Sequence, residues 1–309
     1  MYVVITNPYA GNGAALRQLE AIQKDPLFTS KNCRSFQTEY EGHARILSES
    51  IVRTHHSTID AVVIIGGDGT VHEVMNGLAA WPDVPVGIIP AGSGNDFVRG
   101  LGIQSKGVKL FRELVLSPKT LKVNIGEAET VYQQRSKVIY FLNSAGTGLD
   151  SEIVSKTNDA VFRKKLKKWR LHRVHYAAGF IYILKKFKYS LLEVDIEGRR
   201  VKFKSFTLAV ITNHPYFGKG MKIAPASKLK SMRFTIVLIE PLAKWKLGLL
   251  FATVFTGLHT KLKKVHILKG SSIKIKSSSG LLLQMDGQIY KCDKCTIRKT
   301  RQPRVFLTD

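Results

Sequence analysis

The sequence predicts an α/β domain in the first third of the chain and a β-rich domain in the rest. In the first third, apolar runs typical of strands alternate with segments of helical periodicity, which favours a parallel sheet with helices on both faces. Beyond about Lys122, short β-rich runs dominate and predict a β-sandwich or barrel. The 309 residues, of which 44% are hydrophobic, are enough for two ordinary domains.

The strands of the first domain are predicted from apolar runs, and its helices from the segments between them. The run AVVII at 61–65 has the β-branched composition of a buried parallel strand. Val71, Val74 and Leu78 then lie at the spacing of one apolar helix face. The predicted strands are 2–6, 35–39, 61–65 and 84–90, and the predicted helices are 14–24, 43–55 and 71–78.

The second domain is predicted from shorter runs joined by polar turns, such as the hairpin joint at 197–199. A basic helical segment at 159–187 interrupts these runs, and a further helix is predicted at 244–259. The predicted strands are 137–142, 192–196, 201–206, 208–212, 234–240, 272–276 and 281–285.

Composition limits the class of protein. The formal net charge of +25 favours an anionic partner, such as a nucleotide, a nucleic acid or an acidic membrane. Three cysteines are too few for a disulfide framework, and the CxxC of Cys292 and Cys295 lacks a second ligand pair for zinc, so we expect a structural role for it. The sequence shows no signal peptide and no apolar run of about 18 residues, which predicts a cytoplasmic protein.

Glycine-rich turns follow the strands of the first domain. They are NPYAGNG at 7–13, GGDGT at 66–70 and PAGSGNDF at 90–97, and a fourth, NSAGTGLD, lies at 143–150. Ligands of open α/β sheets bind beyond the carboxyl ends of the strands, where the first three turns should cluster. Glycines let the backbone approach a phosphate closely. The turns therefore predict a nucleotide site, with Asp68 as a magnesium partner or an orienting acceptor.

Other phosphate-binding signatures do not fit the sequence. Gly218 and Lys219 are followed by Gly220 rather than by Ser or Thr, so a P-loop is not predicted. Leu16 and Phe97 occupy the third glycine position of the two possible GxGxxG motifs. The predicted nucleotide site is therefore of another type.

Two longer motifs resemble a known family. GGDGTVHEVMNGL at 66–78 and PAGSGNDFVRGLG at 90–102 resemble the catalytic domain of diacylglycerol kinases, and more narrowly the soluble bacterial lipid kinases that are similar to sphingosine kinases. The segments NPYAGNG, NSAGTGLD, FGKGMKIAPAS, GLH and QMDGQ match that family in order and spacing. The resemblance implies an NAD-kinase-like α/β domain at 1–123 to which 296–309 return, a β-sandwich lipid-substrate domain at 124–295, and a catalytic cleft between them.

The resemblance also implies an ATP site and a role for each motif. Thr70 would contact phosphate, and Asp68 would order the site or hold Mg²⁺. Asp286 would be the general base that takes a proton from the lipid hydroxyl, although its setting before Gly287 is by itself typical of a hairpin turn. The residues implied to bind the nucleotide are Asn7, Pro8, Gly11, Gly13, Gly66, Gly67, Asp68, Gly69, Thr70, Glu73, Gly92, Ser93, Gly94, Asn95 and Asp96.

The chain departs from the family pattern at two places. Gln288 stands where the family usually has Glu, which keeps a hydrogen-bonding side chain but removes a negative charge. The segment SKLKSMR at 227–233 is basic where relatives usually carry acidic residues. We therefore predict that the structural metal ion of the family does not bind this segment.

The segment 159–187 concentrates positive charge. A solvated charged face is the simplest interpretation, but Phe162, Leu166 and Trp169 lie among the cations. We therefore predict peripheral association with the inner face of the membrane. A nucleic-acid partner is not predicted, because no binding motif for DNA or RNA is present. The residues predicted to contact anionic lipid are Lys164, Lys165, Lys167 and Lys168.

These observations predict ATP-dependent phosphorylation of a lipid alcohol, with diacylglycerol as the expected acceptor. Two alternatives remain open. An NAD kinase also uses a GGDGT turn, and a catalytically weakened nucleotide- and membrane-binding protein would explain Gln288. The sequence leaves the acceptor lipid and the oligomeric state open, since apolar pockets discriminate weakly between similar chains.

Overall fold

The computed structural model describes residues 1–159, 182–184, 187 and 190–309. These residues form two compact units, 1–125 with 300–309 and 126–299. The sequence-based boundaries, 123/124 and 295/296, fall slightly earlier, because β-structure continues to Lys299. The predicted basic helix at 159–187, with Lys164, Lys165, Lys167 and Lys168, lies outside the described residues apart from positions 159, 182–184 and 187.

The first unit is built on a six-stranded sheet. Its strands are β1 Tyr2–Thr6, β2 Cys33–Gln37, β3 Ala61–Gly66, β4 Val86–Pro90, β5 Lys119–Val123 and β18 Arg304–Thr308. The strand order is β2-β1-β3-β4-β18-β5, and every neighbouring pair is parallel except β18 with β5. The predicted parallel sheet is therefore confirmed, with an antiparallel strand at one edge.

Helices cover this sheet. They are α1 Ala14–Gln23, α2 Pro26–Ser30, α3 His43–His55, α4 Asp68–Gly77, α5 Asp96–Leu101 and α6 Gly107–Leu116. Helix α1 packs beside α6, and α3 packs beside α4. Every residue of β3 is buried, as expected of a strand that is covered on both faces.

One helix boundary differs from the prediction in a way that matters for the site. Helix α4 begins at Asp68 rather than at Val71. Gly67 is extended and precedes the helix, and its carbonyl oxygen accepts a hydrogen bond from the Val71 N–H at 3.1 Å. Gly69 and Thr70 therefore lie in the first helical turn, and only Gly66 and Gly67 precede it.

The second unit contains a ten-stranded antiparallel sheet and a small two-stranded one. The strands are β6 Gly126–Tyr132, β7 Arg135–Phe141, β8 Ser144–Gly148, β9 Ser190–Ile196, β10 Arg199–Phe206, β11 Leu208–Thr212, β12 Tyr216–Phe217, β13 Met221–Lys222, β14 Phe234–Ile239, β15 Val265–Gly270, β16 Ser272–Met285 and β17 Gln288–Lys299. The helices described here are α7 Leu149–Asn158 and α8 Lys244–Val254.

The long strand β16 divides the large sheet. Its first half pairs with β9, its second half pairs with β8, and β17 pairs with both halves. This arrangement is the sandwich-like architecture that the sequence predicts. The two separate strands predicted at 272–276 and 281–285 are one strand with an irregularity between them. The predicted hairpin joint at 197–199 is confirmed, since Ile196 pairs with Arg199.

The fourth glycine-rich segment is not a turn. Residues Ser144–Gly148 form the central strand β8, which lies between β11 and β16. Gly146 is required by packing, because a Cβ atom there would meet the side chains of Asp150 and Gln284. The small residues of this segment therefore serve close packing inside the sheet.

Cys292 and Cys295 pack into the hydrophobic core of the second unit. Both are free thiols, and burial raises the pKa of Cys292 to about 12. A buried thiol that keeps its proton is a poor nucleophile and a poor metal ligand. Their environment agrees with the structural role expected from the sequence.

Candidate functional site

The three glycine-rich loops of the first unit meet at the carboxyl ends of β1, β3 and β4. The backbone N–H of Ala91 donates to Gly66 O at 2.9 Å, which joins the second and third loops. The backbone N–H of Asn7 donates to Ile65 O at 3.1 Å, which joins the first loop to the end of β3. The convergence predicted from the sequence is therefore observed.

Glycines, which have no side chain, allow the close approach of these loops. A Cβ atom on Gly92 would lie 2.5 Å from the Cα of Gly67, and a Cβ atom on Gly11 would meet the carbonyl oxygen of Ala91. Gly11 also has a φ of 61°, a left-handed conformation that favours glycine. Only glycine at these positions lets three backbones share one small region, as a phosphate-binding loop requires.

Asparagines occupy two further left-handed positions of the loops. Asn12 has a φ of 55° and Asn95 a φ of 54°, which asparagine tolerates better than most residues. The Asn95 side chain also closes its own loop, because Oδ1 accepts from Gly92 N at 3.1 Å and Nδ2 donates to Gly92 O at 2.8 Å. This clamp leaves Ser93 exposed at the tip of the loop.

Thr70 links the first loop to α4. The Asn7 Nδ2 donates to the Thr70 Oγ1 at 3.1 Å, and the Thr70 side chain packs against Gly66. A threonine hydroxyl can accept and donate at the same time. The contact with Asn7 therefore fixes the Thr70 side chain at the start of α4.

Asp68 orders the third loop. Its Oδ2 accepts from the Asp96 N–H and its Oδ1 from the Phe97 N–H, both at 3.3 Å. These N–H groups begin α5 and have no partner within that helix. The Asp68 carboxylate therefore accepts from the backbone of the third loop, and its expected role toward magnesium stays a prediction.

Other predicted nucleotide residues have structural contacts at this edge of the sheet. The Glu73 carboxylate accepts from the Ala44 N–H at 3.2 Å, at the start of α3. Asp96 is buried and pairs with Arg99, with 2.6 Å between Oδ1 and Nη1. Gly13 precedes α1 with a φ of 82°, and Pro8 lies half-buried in the same loop.

The donor set at these loops fits a magnesium ion that arrives with a nucleotide. Among the described residues, no three His, Cys, Asp or Glu side chains are grouped so that they could hold a metal ion. Mg²⁺ is commonly held by one or two carboxylates together with substrate phosphates and water. Asp68 and Asp96 are the carboxylates that lie at the loops for such a role.

Asp286 lies in the second unit, in the tight turn between β16 and β17. Met285 pairs with Gln288, and Asp286 and Gly287 have φ values of 50° and 88°, as in a type I′ hairpin. The hairpin that the local sequence indicates is therefore present. The catalytic role implied by the resemblance stays a prediction.

The carboxylate of Asp286 is held by backbone donors. Its Oδ1 accepts from the N–H groups of Asn143 at 2.8 Å and Ser144 at 3.2 Å, and its Oδ2 accepts from Leu142 at 2.8 Å. The Asp286 N–H donates back to Ser144 O at 3.1 Å. These contacts fix the carboxylate in one orientation against the start of β8.

A buried polar network holds the segment that donates to Asp286. The Asn213 Nδ2 donates to Phe141 O at 3.3 Å and to Leu142 O at 2.8 Å. The Asn213 Oδ1 accepts from the Lys299 Nζ at 2.6 Å, and this ammonium group lies 4.7 Å from the centre of the Phe234 ring. Burial lowers the pKa of Lys299 to about 8.

His214 supports the same segment from another side. Its Nδ1 accepts from the Tyr216 N–H at 3.2 Å, so its Nε2 is the donor toward Asn143 Oδ1 at 2.8 Å. This network could not be predicted from the sequence, because Asn213 and His214 lie far from Asp286 in sequence and Lys299 lies at the opposite end of β17. The polar pair at 213–214 directly after the apolar strand β11 is the signal that could have indicated it.

Two glutamine side chains, those of Gln284 and Gln288, lie at the hairpin and differ in their surroundings. The Gln284 side chain is buried, with Nε2 donating to Ser144 Oγ at 3.3 Å and Oε1 accepting from Gly287 N at 3.0 Å. Gln288 is half-buried at the start of β17. The Gln284 amide therefore braces the turn between β16 and β17.

The basic segment at 227–233 has its own neighbours. Arg233 Nη2 donates to Glu197 Oε2 at 3.0 Å, and Glu197 Oε1 accepts from Ser271 N and Ser271 Oγ at 2.8 Å. These bonds hold the pKa of Glu197 below its usual value, the Ser271 backbone bond contributing most. The prediction that no metal ion binds this segment stays a prediction.

A small apolar cavity of about 50 Å³, partly open to solvent, lies within the second unit. Helix α7 contributes Leu149 and Ile153, and α8 contributes Leu247 and Leu250. The buried Asp150 also lines the cavity, which gives one carboxylate in an otherwise apolar wall. Its lining is largely apolar, as in sites that bind hydrocarbon groups.

The comparisons with known proteins agree along most of the chain. Residues 1–128 match the family model of the diacylglycerol kinase catalytic domain, and residues 143–301 match that of the YegS C-terminal NAD kinase beta sandwich-like domain. The Bacillus subtilis (strain 168) protein YtlR, named as a candidate lipid kinase, is 33% identical over 287 residues, which are 92% of each chain. A diacylglycerol kinase of Staphylococcus aureus (strain Newman) is 29% identical over 292 residues, 92% of this chain and 85% of that protein.

Solved structures share the fold. The crystal structure of a candidate diacylglycerol kinase from Bacillus anthracis str. Sterne matches with a TM-score of 0.76 at 21% identity, covering 100% of this chain and 95% of that chain. Yeast NADH kinase complexed with NADH matches with a TM-score of 0.53 at 14% identity, covering 100% of this chain and 83% of that chain. Within the described residues, no helix is both long enough and apolar enough to cross a membrane.

Proposed function

The chain belongs to the diacylglycerol kinase catalytic-domain family, and on that premise we propose that it transfers the γ-phosphate of ATP to the hydroxyl group of a membrane lipid alcohol. The proposed acceptor is diacylglycerol and the proposed products are phosphatidic acid and ADP. The observation that carries this proposal is the meeting of three glycine-rich loops at the carboxyl edge of the first sheet.

The loops supply what a nucleotide triphosphate needs. Backbone at Gly11, Gly67 and Gly92 is free of side chains, so phosphate oxygens can approach it closely. The Thr70 hydroxyl, held by Asn7, donates to a phosphate oxygen. Magnesium that binds with ATP would neutralise charge on the phosphates. Asp68 keeps the third loop in position for this contact.

Asp286 is the proposed general base. In the proposed step it takes the proton of the acceptor hydroxyl while the hydroxyl oxygen forms a bond to the γ-phosphorus and the bond to the β-phosphate oxygen breaks. Three backbone N–H groups orient its carboxylate, which supports a positioned proton acceptor. The apolar cavity beside α7 and α8 is the proposed place for an acyl chain.

The experiment that tests this proposal offers radiolabelled ATP and Mg²⁺ to the full chain with diacylglycerol in mixed micelles, and with NAD in a parallel reaction. We expect label in phosphatidic acid and none in NAD. Label in NAD alone would support an NAD kinase, and ATP binding without any transfer would support the weakened nucleotide- and membrane-binding protein.

The variant Asp286→Asn tests the base. It should lower the transfer rate by about 10²–10⁴-fold, the usual contribution of general base catalysis, and leave ATP affinity near that of the parent. Asp293→Asn is the matched control, because Asp293 is an exposed aspartate of β17, the strand that follows the Asp286 turn. Thermal melting of both variants checks that the hairpin still folds. Full activity in a folded Asp286→Asn protein would remove Asp286 from the mechanism.

A further inference from the structure

Helix α8 is apolar on both of its sides. Leu247, Leu250 and Val254 are buried on the inner side. On the outer side, Trp245 is 66% exposed and Leu249 is 62% exposed. A helix on the surface of a globular protein normally carries polar residues on its outer face. The outer face of α8 is therefore suited to contact an apolar phase.

The exposed apolar residues continue past the end of α8. Phe255 contacts Phe251 edge to face, with ring centres 5.7 Å apart, and remains half exposed. The 3-10 helix Leu258–Lys261 packs against α8 and adds Leu258, and Leu262 follows it. We call Trp245, Leu249, Phe255, Leu258 and Leu262 the α8 patch.

Lysines lie at both ends of the α8 patch, and this stretch of sequence contains no acidic residue. No Asp or Glu occurs between Pro241 and Gly270. Lys246 Nζ lies 5.2 Å from the centre of the Trp245 ring, at the start of the patch, and Lys261 and Lys263 are exposed at its end. The lysines of the stretch are Lys244, Lys246, Lys261, Lys263, Lys264 and Lys269.

We propose that the α8 patch inserts into the surface of an anionic lipid bilayer, with its lysines at the headgroups. Tryptophan prefers the boundary between water and lipid, and lysine can bury its methylene groups while its ammonium reaches the headgroups. Apolar insertion combined with cationic flanks is the usual composition of an interfacial helix. A nucleic acid would use the lysines but would leave the apolar residues exposed.

This inference rests on the proposed function, because it gives the lipid acceptor a route. The inner side of α8 lines the apolar cavity through Leu247, Leu250 and Val254, while its outer side carries the patch. One helix therefore separates the cavity from the proposed bilayer. A lipid that leaves the bilayer at α8 has only the thickness of that helix to pass.

The experiment measures sedimentation of the full chain with vesicles of phosphatidylcholine alone and of phosphatidylcholine mixed with phosphatidylglycerol. The parent should bind the mixed vesicles. Trp245→Ala with Leu249→Ala should weaken binding at least about tenfold, because two large exposed side chains lose their burial in lipid. Lys261→Glu with Lys263→Glu should weaken it by a similar factor, about tenfold or more, and only for the anionic vesicles.

Matched controls come from the first unit. Ile46 is 54% exposed and Leu116 is 56% exposed, so Ile46→Ala with Leu116→Ala removes the same kind of exposed side chain elsewhere. Lys24→Glu with Lys122→Glu changes charge equally at exposed positions. Both controls should bind vesicles like the parent. Equal binding by the patch variants, or no vesicle binding by the parent, would overturn the inference.

Two further readouts separate the outcomes. A short-chain, water-soluble diacylglycerol should be phosphorylated equally by the parent and by the patch variants, because it needs no bilayer. A parent that binds vesicles through the patch but phosphorylates no lipid would leave this inference standing and remove the proposed function. A parent dimer that Trp245→Ala with Leu249→Ala converts to monomer would show that a second copy covers the patch, which would also overturn the inference.

Discussion

Single glycines decide whether the nucleotide loops can meet. At Gly92 an added methyl group would lie 2.5 Å from Gly67 Cα and 2.9 Å from Asn95 Oδ1. Both neighbours belong to the loops, so relief of this overlap must move the surfaces that would face phosphate. Gly77 is packed at least as closely but lies away from the loops, since its added methyl group would meet Ser48 and Arg45 of α3.

The pair Gly92→Ala and Gly77→Ala therefore separates stability from nucleotide binding. Each substitution should destabilise the first unit by about 1–3 kcal/mol, as over-packing usually does. Only Gly92→Ala should also weaken ATP binding, by about tenfold or more. Urea unfolding and calorimetric titration with ATP measure the two effects. Equal ATP affinity in the two variants would show that the loops do not bind the nucleotide.

The loop residues could be predicted from the sequence, because glycines that directly follow three strands indicate a close approach of backbone at the end of the sheet. The hydrogen bonds that these residues make could not be predicted from the sequence. The Asp68 carboxylate accepts hydrogen bonds from the N–H groups of Asp96 and Phe97, which lie far from it in sequence. The spacing of GGDGT and GSGNDF does not indicate that the first N–H groups of α5 bind that carboxylate. The sequence motif therefore identifies Asp68 as a candidate site residue, but only the folded structure shows which groups it contacts.

Among the strands, too, some could be predicted from the sequence and others could not. The strands with β-branched runs were predicted well, whereas β8 was interpreted as a turn because its sequence SAGTG contains two glycines. Its residues are small because β11, β16 and the Asp150 side chain surround it. Strand β17 was missed because Lys291, Asp293 and Lys294 stand among its buried residues, which lowers its average hydrophobicity.

Lys299 is the last residue of β17, and its burial makes the stability of the fold depend on pH. Burial lowers its pKa from 10.5 to about 8, so between these values the unfolded chain holds more protons than the folded one. Stability attributable to this group therefore rises with pH across that window. The rise is on the order of 3 kcal/mol if the whole difference in pKa is expressed.

The comparison of the parent with Lys299→Met measures this effect. The free energy of unfolding of the parent, minus that of the variant, should increase between pH 8 and pH 10.5. Lys294→Met, an exposed lysine of the same strand, is the control and should show no such rise against the parent. A flat difference for Lys299→Met would mean that the Lys299 ammonium group is not desolvated by the fold.

The path of the whole chain explains why its last residues matter. Strand β18 lies between β4 and β5 in the first sheet, so the first unit is incomplete until the chain has passed through the second. Arg304 on β18 donates to Leu78 O, Ala79 O and Trp81 O, which closes the end of α4. A fragment that ends at Ile125 would lack both the strand and this arginine.

The two points where the chain passes between units lie side by side. The Thr300 N–H donates to Ile125 O at 2.9 Å, and the Asn124 Nδ2 donates to Thr300 O at 2.7 Å. A short turn can therefore replace residues 126–299 without moving either end. The first unit joined in this way keeps its sheet, its three loops and Arg304.

We expect residues 1–125 alone to remain unfolded, and residues 1–125 joined to 300–309 through an Asn-Gly turn to fold and bind ATP. Circular dichroism with urea unfolding measures folding, and titration with ATP measures the site. The same joined protein carrying Arg304→Met is the control, because it should lose stability by removing the donors to three carbonyl oxygens. Stable folding of residues 1–125 alone would show that β18 is dispensable. A folded joined unit that does not bind ATP, beside a full chain that does, would show that the nucleotide site needs residues of the second unit.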